Sequence, residues 1–408
     1  MLHALLRRLI RVGDLKVRYA NGRDETYGDG TGTPVTVRMS ARGARRIAAN
    51  PQLGLGEAFM EGDVEIEQGD IWDLFDVVGR NQAQGVKNRL PGRLGLALKR
   101  AQRRLQQMND RRAAKKNVAH HYDLSYDLYR RFLDADMQYS CAYWARPGMT
   151  LEEAQAAKKA HLASKMRLEP GMRVLDIGCG WGGLGLELGK RYGCEVTGIT
   201  LSREQLAIAQ KRAEAAGLAV RVRFELTDFR DMRGKFDRIV SVGMFEHVGV
   251  PNYRAYFQAV GQLLTDDGAA VIHSIGRRSP PSGTNPWILK YIFPGGYIPA
   301  LSETLAAVEE VGLWVTDVEV LRIHYGETLK EWRRRFNAVR PEIAEIYDER
   351  FCRMWEFYLA CSELAFRYGS HMNFQLQLTK KVGALPITRD YMVDAERAGP
   401  RGLAQAAE

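Results

Sequence analysis

Arg173-Val174-Leu175-Asp176-Ile177-Gly178-Cys179-Gly180-Trp181-Gly182-Gly183 decides the reading of this chain. An apolar run ending in an acid and a glycine-dense turn is how a parallel strand hands a nucleoside cofactor to the next helix. Glycines at 178 and 180 let the backbone turn tightly and lie against a ligand, and Asp176 can accept a hydrogen bond from the loop or from a cationic ligand group. Alone, such a loop is equally an ordinary strand-to-helix turn, so its meaning depends on the chain around it.

Two ligands compete for the loop. A dinucleotide sets its pyrophosphate on the helix N-terminus, whereas S-adenosylmethionine needs an acidic, apolar and aromatic pocket for its sulfonium and amino-acid tail. The second strand, Cys194-Glu195-Val196-Thr197-Gly198-Ile199-Thr200, ends in Thr200, Leu201 and Ser202 rather than in the acid that holds a ribose in dinucleotide folds. Taken together, Asp176 to Gly182 and Ile199-Thr200-Leu201-Ser202-Arg203-Glu204-Gln205 resemble the cyclopropane fatty acid synthase and mycolic acid methyltransferase family.

The chain has 408 residues, 45% of them apolar, enough for one large core and a smaller one, and it fits neither a disordered nor a fibrous class. Cys141, Cys179, Cys194, Cys352 and Cys361 show no short paired spacing, which argues against a zinc cluster or a secreted disulfide framework and for a reducing cytoplasm. No metal is expected. Met1 to Val12, interrupted by Arg7, Arg8 and Arg11, reads as a short amphipathic helix, and no apolar run reaches the length of a membrane span.

The net charge of +10 suits a polyanionic partner. Lys87, Arg89, Arg93, Lys99, Arg100, Arg103, Arg104, Arg111, Arg112, Lys115 and Lys116, interleaved with leucines, suit a basic amphipathic segment on an anionic bilayer. A solvated linker helix is the plainer alternative. Nucleic acid is disfavoured because no stacking platform accompanies the charge.

The expected architecture is an α/β, Rossmann-like seven-stranded sheet of the class I S-adenosylmethionine-dependent methyltransferase type, with a small N-terminal α+β domain. The boundaries read as residues 1–86 for a lipid-binding-like domain, 87–116 for the basic linker, 117–395 for the catalytic domain and 396–408 for a tail. Strands are expected at Leu15 to Tyr19, Pro34 to Arg38, Val174 to Ile177, Glu195 to Ile199, Val220 to Leu226, Arg238 to Val242, Ala270 to Ile275, Val315 to Ile323 and Phe374 to Thr379, the last of them antiparallel. Between Arg277 and Leu301 a Pro-, Gly- and aromatic-rich interruption reads as a lid apolar enough to meet an acyl chain.

The resemblance rests on several further motifs: His120-His121-Tyr122-Asp123, Gln138-Tyr139-Ser140-Cys141-Ala142-Tyr143-Trp144, Gly243-Met244-Phe245-Glu246-His247-Val248-Gly249, Ile272-His273-Ser274-Ile275-Gly276, His324-Tyr325-Gly326-Glu327 and Phe357-Tyr358-Leu359-Ala360-Cys361-Ser362. It implies an enzyme that transfers a methylene group from S-adenosylmethionine to the cis double bond of an unsaturated acyl chain in a membrane phospholipid. An alkene is a poor nucleophile, so such a site needs donor alignment, aromatic faces for a developing carbocation and a base for the last proton. The resemblance implies that this base is bicarbonate, cradled by Cys141, Glu246, His273, the backbone of Ile275 and Tyr325, and it counts Cys361 as an active-site residue. The alternative product is a methyl or methylene branch. The cofactor is assigned to Tyr139 and Ser140 at its amino-acid end, Asp176, Gly178, Gly180 and Gly182 in the loop, Thr200, Leu201 and Gln205 at the ribose, and Asp228 and Phe229 at the adenine, where relatives often carry Trp in place of Phe229. A homodimer peripheral to the inner face of the cell membrane is implied.

Each catalytic candidate also has a plainer reading. Glu246 could be an acid favoured at a helix N-terminus, His273 a satisfied core histidine, Cys141 and Cys361 buried packing residues, and Tyr325 an interfacial tyrosine. A thiolate nucleophile has no obvious task in carbocation chemistry.

Overall fold

The computed structural model describes residues 2–83 and 126–399, so His120 to Asp123, the basic run from Lys87 to Lys116 and most of the C-terminal tail lie outside the described residues. The chain opens with α1 (Leu2–Leu9), β1 (Asp14–Tyr19), β2 (Asp24–Gly28), β3 (Val35–Met39), α2 (Ala41–Ala49), α3 (Pro51–Met60), β4 (Val64–Gln68) and α4 (Ile71–Ala83). Asn21-Gly22 turns the β1–β2 hairpin, with Gly22 at φ 80°. Ser40 caps α2 by accepting from the Gly43 amide, and Asn50 caps α3 ahead of Pro51. The four strands form one sheet in the order β2-β1-β3-β4.

The chain continues through α5 (Tyr126–Phe132), α6 (Leu151–Met166), β5 (Arg173–Ile177), α7 (Gly183–Arg191), β6 (Glu195–Thr200), α8 (Arg203–Ala215), β7 (Val222–Leu226), β8 (Phe236–Val242), α9 (Tyr253–Leu263) and β9 (Leu264–Arg277). Then come α10 (Pro286–Tyr291), α11 (Leu301–Glu310), β10 (Trp314–Leu321), α12 (His324–Ala338), α13 (Arg340–Ile346), α14 (Glu349–Arg367), β11 (His371–Thr379) and α15 (Asp390–Ala398). The seven-stranded sheet runs β10-β11-β9-β8-β5-β6-β7, parallel from β7 through β9, with β10 and β11 antiparallel to each other. Its inner strands β5, β6, β8, β9 and β11 are buried on both faces over most of their length, whereas the edge strands β7 and β10 are largely exposed. Leu175, Ile239 and Ile272 pack under Tyr256, Phe257 and Val260 of α9, while their neighbours Val174, Val240 and Val271 face Leu162, Leu184, Leu188 and Ala209 from α6, α7 and α8.

The described chain divides into two compact units, and the division is not a single cut. One unit holds residues 2–83 together with 283–294 and 326–371; the other holds 126–282, 295–325 and 372–399. Within the first, Phe357 of α14 meets the rings of Phe75 at 5.1 Å, Phe59 at 6.1 Å and Trp287 at 4.6 Å. A Cβ on Gly56 would stand 2.4 Å from Trp287 Nε1, so α3 must carry glycine there. Glu57 accepts from Lys290 at 2.6 Å and from Tyr291 Oη at 2.9 Å. The aromatic run expected to form a lid is thus partly core: Trp287 is buried in the first unit and Tyr297 in the second. Val220 lies outside β7 and is 87% exposed, whereas β9 extends well beyond Ala270 to Ile275 at both ends.

Candidate active site

Gly178, Gly180 and Gly182 all have positive φ, at 85°, 54° and 83°. The amides of Gly178 and Cys179 both donate to Ile199 O, at 2.9 and 3.0 Å, which pins the turn to the end of β6. A Cβ on Gly178 would collide with Met244 at 2.8 Å, while the space beyond Gly180 is open. Gly182 differs, because a Cβ there would press on Phe224 at 2.7 Å and Ala209 at 3.0 Å. Its glycine is required by packing under α8, and Gly180 presents the bare backbone. Asp176 is buried at the base of the turn and its Oδ2 has no partner. Burial pushes this carboxyl up to about 7, opposed only in part by the Lys158 ammonium.

Residues 134–141 form a shelf beside the turn. Asp136 accepts from Lys159 at 2.6 Å and from the Gln138 side-chain amide at 3.0 Å, and pairs with Arg212, which also donates to Trp181 O at 2.8 Å. That one arginine ties shelf to turn. Tyr139 meets Tyr129 edge-on at 5.0 Å, and Tyr129 meets Trp181 at 5.0 Å. Gln155 of α6 donates to the carbonyls of Gln138 and Ser140, and Lys158 one turn on donates to Gln138 Oε1 and to Ser140 Oγ at 3.0 Å.

After β6, Thr200 Oγ1 bonds Gln205 Oε1 at 3.0 Å, Ser202 caps α8, and half-buried Leu201 fills the turn between them. Gln205 therefore keeps its Nε2 as a donor. Asp228 already accepts from the backbone and guanidinium of Arg230, so a ligand on this carboxylate must share an oxygen. Phe229 stands edge-on to Tyr256 at 5.2 Å, with the Arg230 guanidinium 5.5 Å from its ring centre.

Glu246 lies in a short 3₁₀ turn after β8, and its Oε1 accepts from the Ile275 amide at 2.6 Å. Oε2 is buried and unpartnered, and burial pushes the carboxyl up to about 7, with the Ile275 amide opposing. Glu246 and Ile275 are thus brought together. His273 is placed differently: its Nε2 lies 3.2 Å from the Asn373 amide nitrogen and its Nδ1 3.0 Å from that of Gln375, both on β11. Burial holds it down to about 3, a neutral imidazole. Cys141 is fully buried, its thiol donating to Ala142 O at 3.3 Å and pushed above its ordinary range by burial. Tyr325 is buried at the start of α12, where His324 accepts from the Trp144 amide at 2.9 Å and stacks on Tyr143 at 5.0 Å. Cys361 lies on α14 in the first unit, donating to Tyr358 O at 3.3 Å, with burial pushing it up to about 12. Neither cysteine is a thiolate at neutral pH.

Sequence reading missed Lys158, Gln155, Asn373 and Gln375. The signal was present in each case: polar residues recur at core positions of a helix whose face is Leu151, Gln155, Lys158, Leu162 and Lys165, and of a strand that alternates Asn373, Gln375, Gln377 with Phe374, Leu376, Leu378.

The chain is similar to known proteins over most of its length. The family described as Mycolic acid cyclopropane synthetase matches residues 109–376, and a domain of unknown function matches residues 1–89. The chain is 43% identical over 338 residues to the cyclopropane-fatty-acyl-phospholipid synthase of Escherichia coli K12, covering 83% of this chain and 86% of that one. It is 36% identical over 380 residues to the tuberculostearic acid methyltransferase of Mycobacterium tuberculosis, covering 90% and 87%. A mycolic acid cyclopropane synthase solved with SAH and CTAB superposes with a TM-score of 0.62 at 33% identity, covering 65% of this chain and 97% of that one. With its open glycine turn, buried Asp176 and seven-stranded sheet, this chain belongs to the mycolic acid cyclopropane synthetase family and is an S-adenosylmethionine-dependent methyltransferase of the class I fold.

Proposed function

We propose that the enzyme transfers a methylene group to the cis double bond of unsaturated acyl chains in membrane phospholipids, closing a cyclopropane ring. The observation that carries this reading is Glu246: a buried carboxyl fixed through one oxygen by the Ile275 amide, with its other oxygen unpartnered and its proton affinity near neutrality. The likeness to the E. coli synthase, most of whose length is matched, supports the substrate class.

When bound, S-adenosylmethionine supplies the methyl group, and bicarbonate supplies a base. Asp176, Ser140, Thr200, Leu201, Gln205, Asp228 and Phe229 would hold the cofactor around Gly178 and Gly180. Asp176 with its unpartnered oxygen suits a cationic group. Glu246 Oε2 is the acceptor suited to a bicarbonate hydroxyl, with Cys141, His273, Ile275 and Tyr325 as the remaining members of the proposed cradle. Cys361 is proposed as an active-site residue in a non-nucleophilic role, because its thiol stays protonated. The net change bonds the methyl carbon to both alkene carbons and releases one of its hydrogens as a proton.

A second reading, a methyl or methylene branch, is favoured by the tuberculostearic acid methyltransferase relative. Incubation with unsaturated phospholipid vesicles and methyl-labelled cofactor, followed by mass and NMR analysis of the acyl esters, separates the two: a saturated branch carries two more hydrogens than a ring, and a methylene branch, equal in mass to the ring, shows olefinic protons. Among the described residues no helix is long and apolar enough to cross a membrane. We propose a homodimer held at the inner membrane face by anionic lipid, in part through the basic run from Lys87 to Lys116.

A further inference from the structure

Lys158 is fully buried, and an ammonium taken out of water is costly unless something compensates its charge. Its partners are neutral: Gln138 Oε1, and Ser140 Oγ at 3.0 Å. Among the described residues no carboxylate oxygen lies within the 4 Å of an ion pair. The neighbouring Asp136 is committed to Lys159 and Arg212, and Asp134 accepts from the backbone amides of Asp136 and Gln138. Two of the three donors of Lys158 are used, and its charge is met only at longer range, by Asp134 and Asp136.

Asp176 is the mirror case. It is a buried carboxylate with one oxygen unpartnered and no cation in ion-pair range among the described residues. The two groups flank the same place, because the shelf closes over the glycine turn: a Cβ on Gly183 would stand 2.4 Å from Gln138 Nε2, and one on Gly243 would stand 3.9 Å from Ser140 Cβ. A buried cation and a buried anion, each without an oppositely charged contact partner among the described residues yet near enough for Lys158 to lower the Asp176 carboxyl, complement a zwitterion. In S-adenosylmethionine the zwitterion is the α-amino-acid end.

Ser140 links Lys158 to that end. A hydroxyl has one donor and two acceptor lone pairs. With a lone pair occupied by the Lys158 ammonium, the Ser140 O–H is left to donate, and it finds no protein acceptor among the described residues. An O–H whose oxygen receives a charged donor is the stronger donor in turn.

We infer that Lys158 is a positioning residue for the cofactor, acting through Ser140 to fix the α-carboxylate while Asp176 takes the α-ammonium. Lys158 fits this task better than a purely structural one, since Gln155 alone already holds the backbone carbonyls of the shelf. The inference rests on the cofactor assignment above and adds to it a residue and the atom group it recognises.

The test is calorimetric binding of SAH and of the same thioether lacking its α-carboxylate, to the full-length unaltered chain, to Lys158→Met and to Ser140→Ala. Losing a hydrogen bond to a charged group corresponds to roughly a ten- to hundredfold weaker affinity. That loss is expected for SAH in both variants, with the decarboxylated ligand weakened by less than about twofold. Equal weakening of both ligands, or none, overturns the inference. If Lys158→Met fails to melt cooperatively, Ser140→Ala decides alone, because it keeps the lysine and removes only the hydroxyl. Failure of the unaltered chain to bind SAH would instead overturn the cofactor assignment, and the inference with it.

Discussion

Replacing Glu246 by glutamine should make the protein less active and, at the same time, more stable above neutral pH. The substituted side chain would keep an amide oxygen for the Ile275 amide, which Oε1 of the glutamate now accepts at 2.6 Å, and would place an NH₂ where Oε2 is buried without a partner. The folded carboxyl titrates near 7 against an ordinary 4.5, so its folded-state pKa is raised. A carboxyl raised in this way favours the folded state fully below pH 4.5 and progressively less as pH rises to 7, because the unfolded chain ionises first. At 1.36 kcal/mol per pKa unit, the stability lost across that window is about 3 kcal/mol. Glu246→Gln cannot ionise and should escape the loss. The difference in unfolding free energy between variant and parent should therefore be small at pH 4.5 and grow toward about 3 kcal/mol at pH 8. Denaturant titrations at four or five pH values measure it. In parallel, methyl-labelled vesicle assays should show turnover down by roughly a hundredfold or more, the usual cost of losing a positioned acid–base partner, with SAH binding retained. A pH-independent stability difference, or full activity in carbonate-free buffer, would refute the role given to this carboxyl.

Gly180→Val should abolish SAH binding while leaving a cooperative melt, since the space beyond Gly180 is open and only its φ of 54° and the ligand object to a side chain; unchanged affinity would remove this turn from the cofactor site. Gln375→Leu leaves His273 Nδ1 buried without its partner at 3.0 Å, and should cost about 1–3 kcal/mol by chemical denaturation. His273 itself is depressed from 6.5 to about 3, so its contribution is complete above pH 6.5 and is lost as pH falls toward 3; His273→Asn should flatten that acid limb of the stability profile, and an unchanged limb would assign it to other groups. Neutralising Arg100, Arg103 and Arg104 together should weaken binding to anionic vesicles by on the order of 1 kcal/mol per charge, most clearly at low salt, and binding indifferent to both would leave the run as a linker.

Strand existence was legible where the sheet is buried on both faces, so β5, β6, β8 and β9 announce themselves as apolar runs. β4 was not, since Val64-Glu65-Ile66-Glu67-Gln68 buries only Val64 fully, and β2 was legible only through the Asn21-Gly22 turn before it, since Asp24-Glu25-Thr26-Tyr27-Gly28 buries only Tyr27. At the site, the glycine turn and Asp176 were read from local pattern, and Glu246 from the family resemblance. The contacts that set their behaviour did not, because Lys158 meets Ser140 across 18 residues and His273 meets Gln375 across 102. Nor does local sequence say that Gly182 serves packing while Gly180 serves access; that depends on Phe224, a strand away.

The return of 283–294 and 326–371 to the N-terminal unit has a consequence for synthesis. Phe59 and Phe75 find their partner Phe357 only after almost the whole polypeptide has left the ribosome. At 5–20 residues per second, α4 and α14 are separated by roughly 15 to 60 s of elongation, during which the apolar faces of α3 and α4 lack their final cover. Truncation before α14 should therefore yield an N-terminal fragment that aggregates or recruits chaperones, even though a family boundary falls at residue 89.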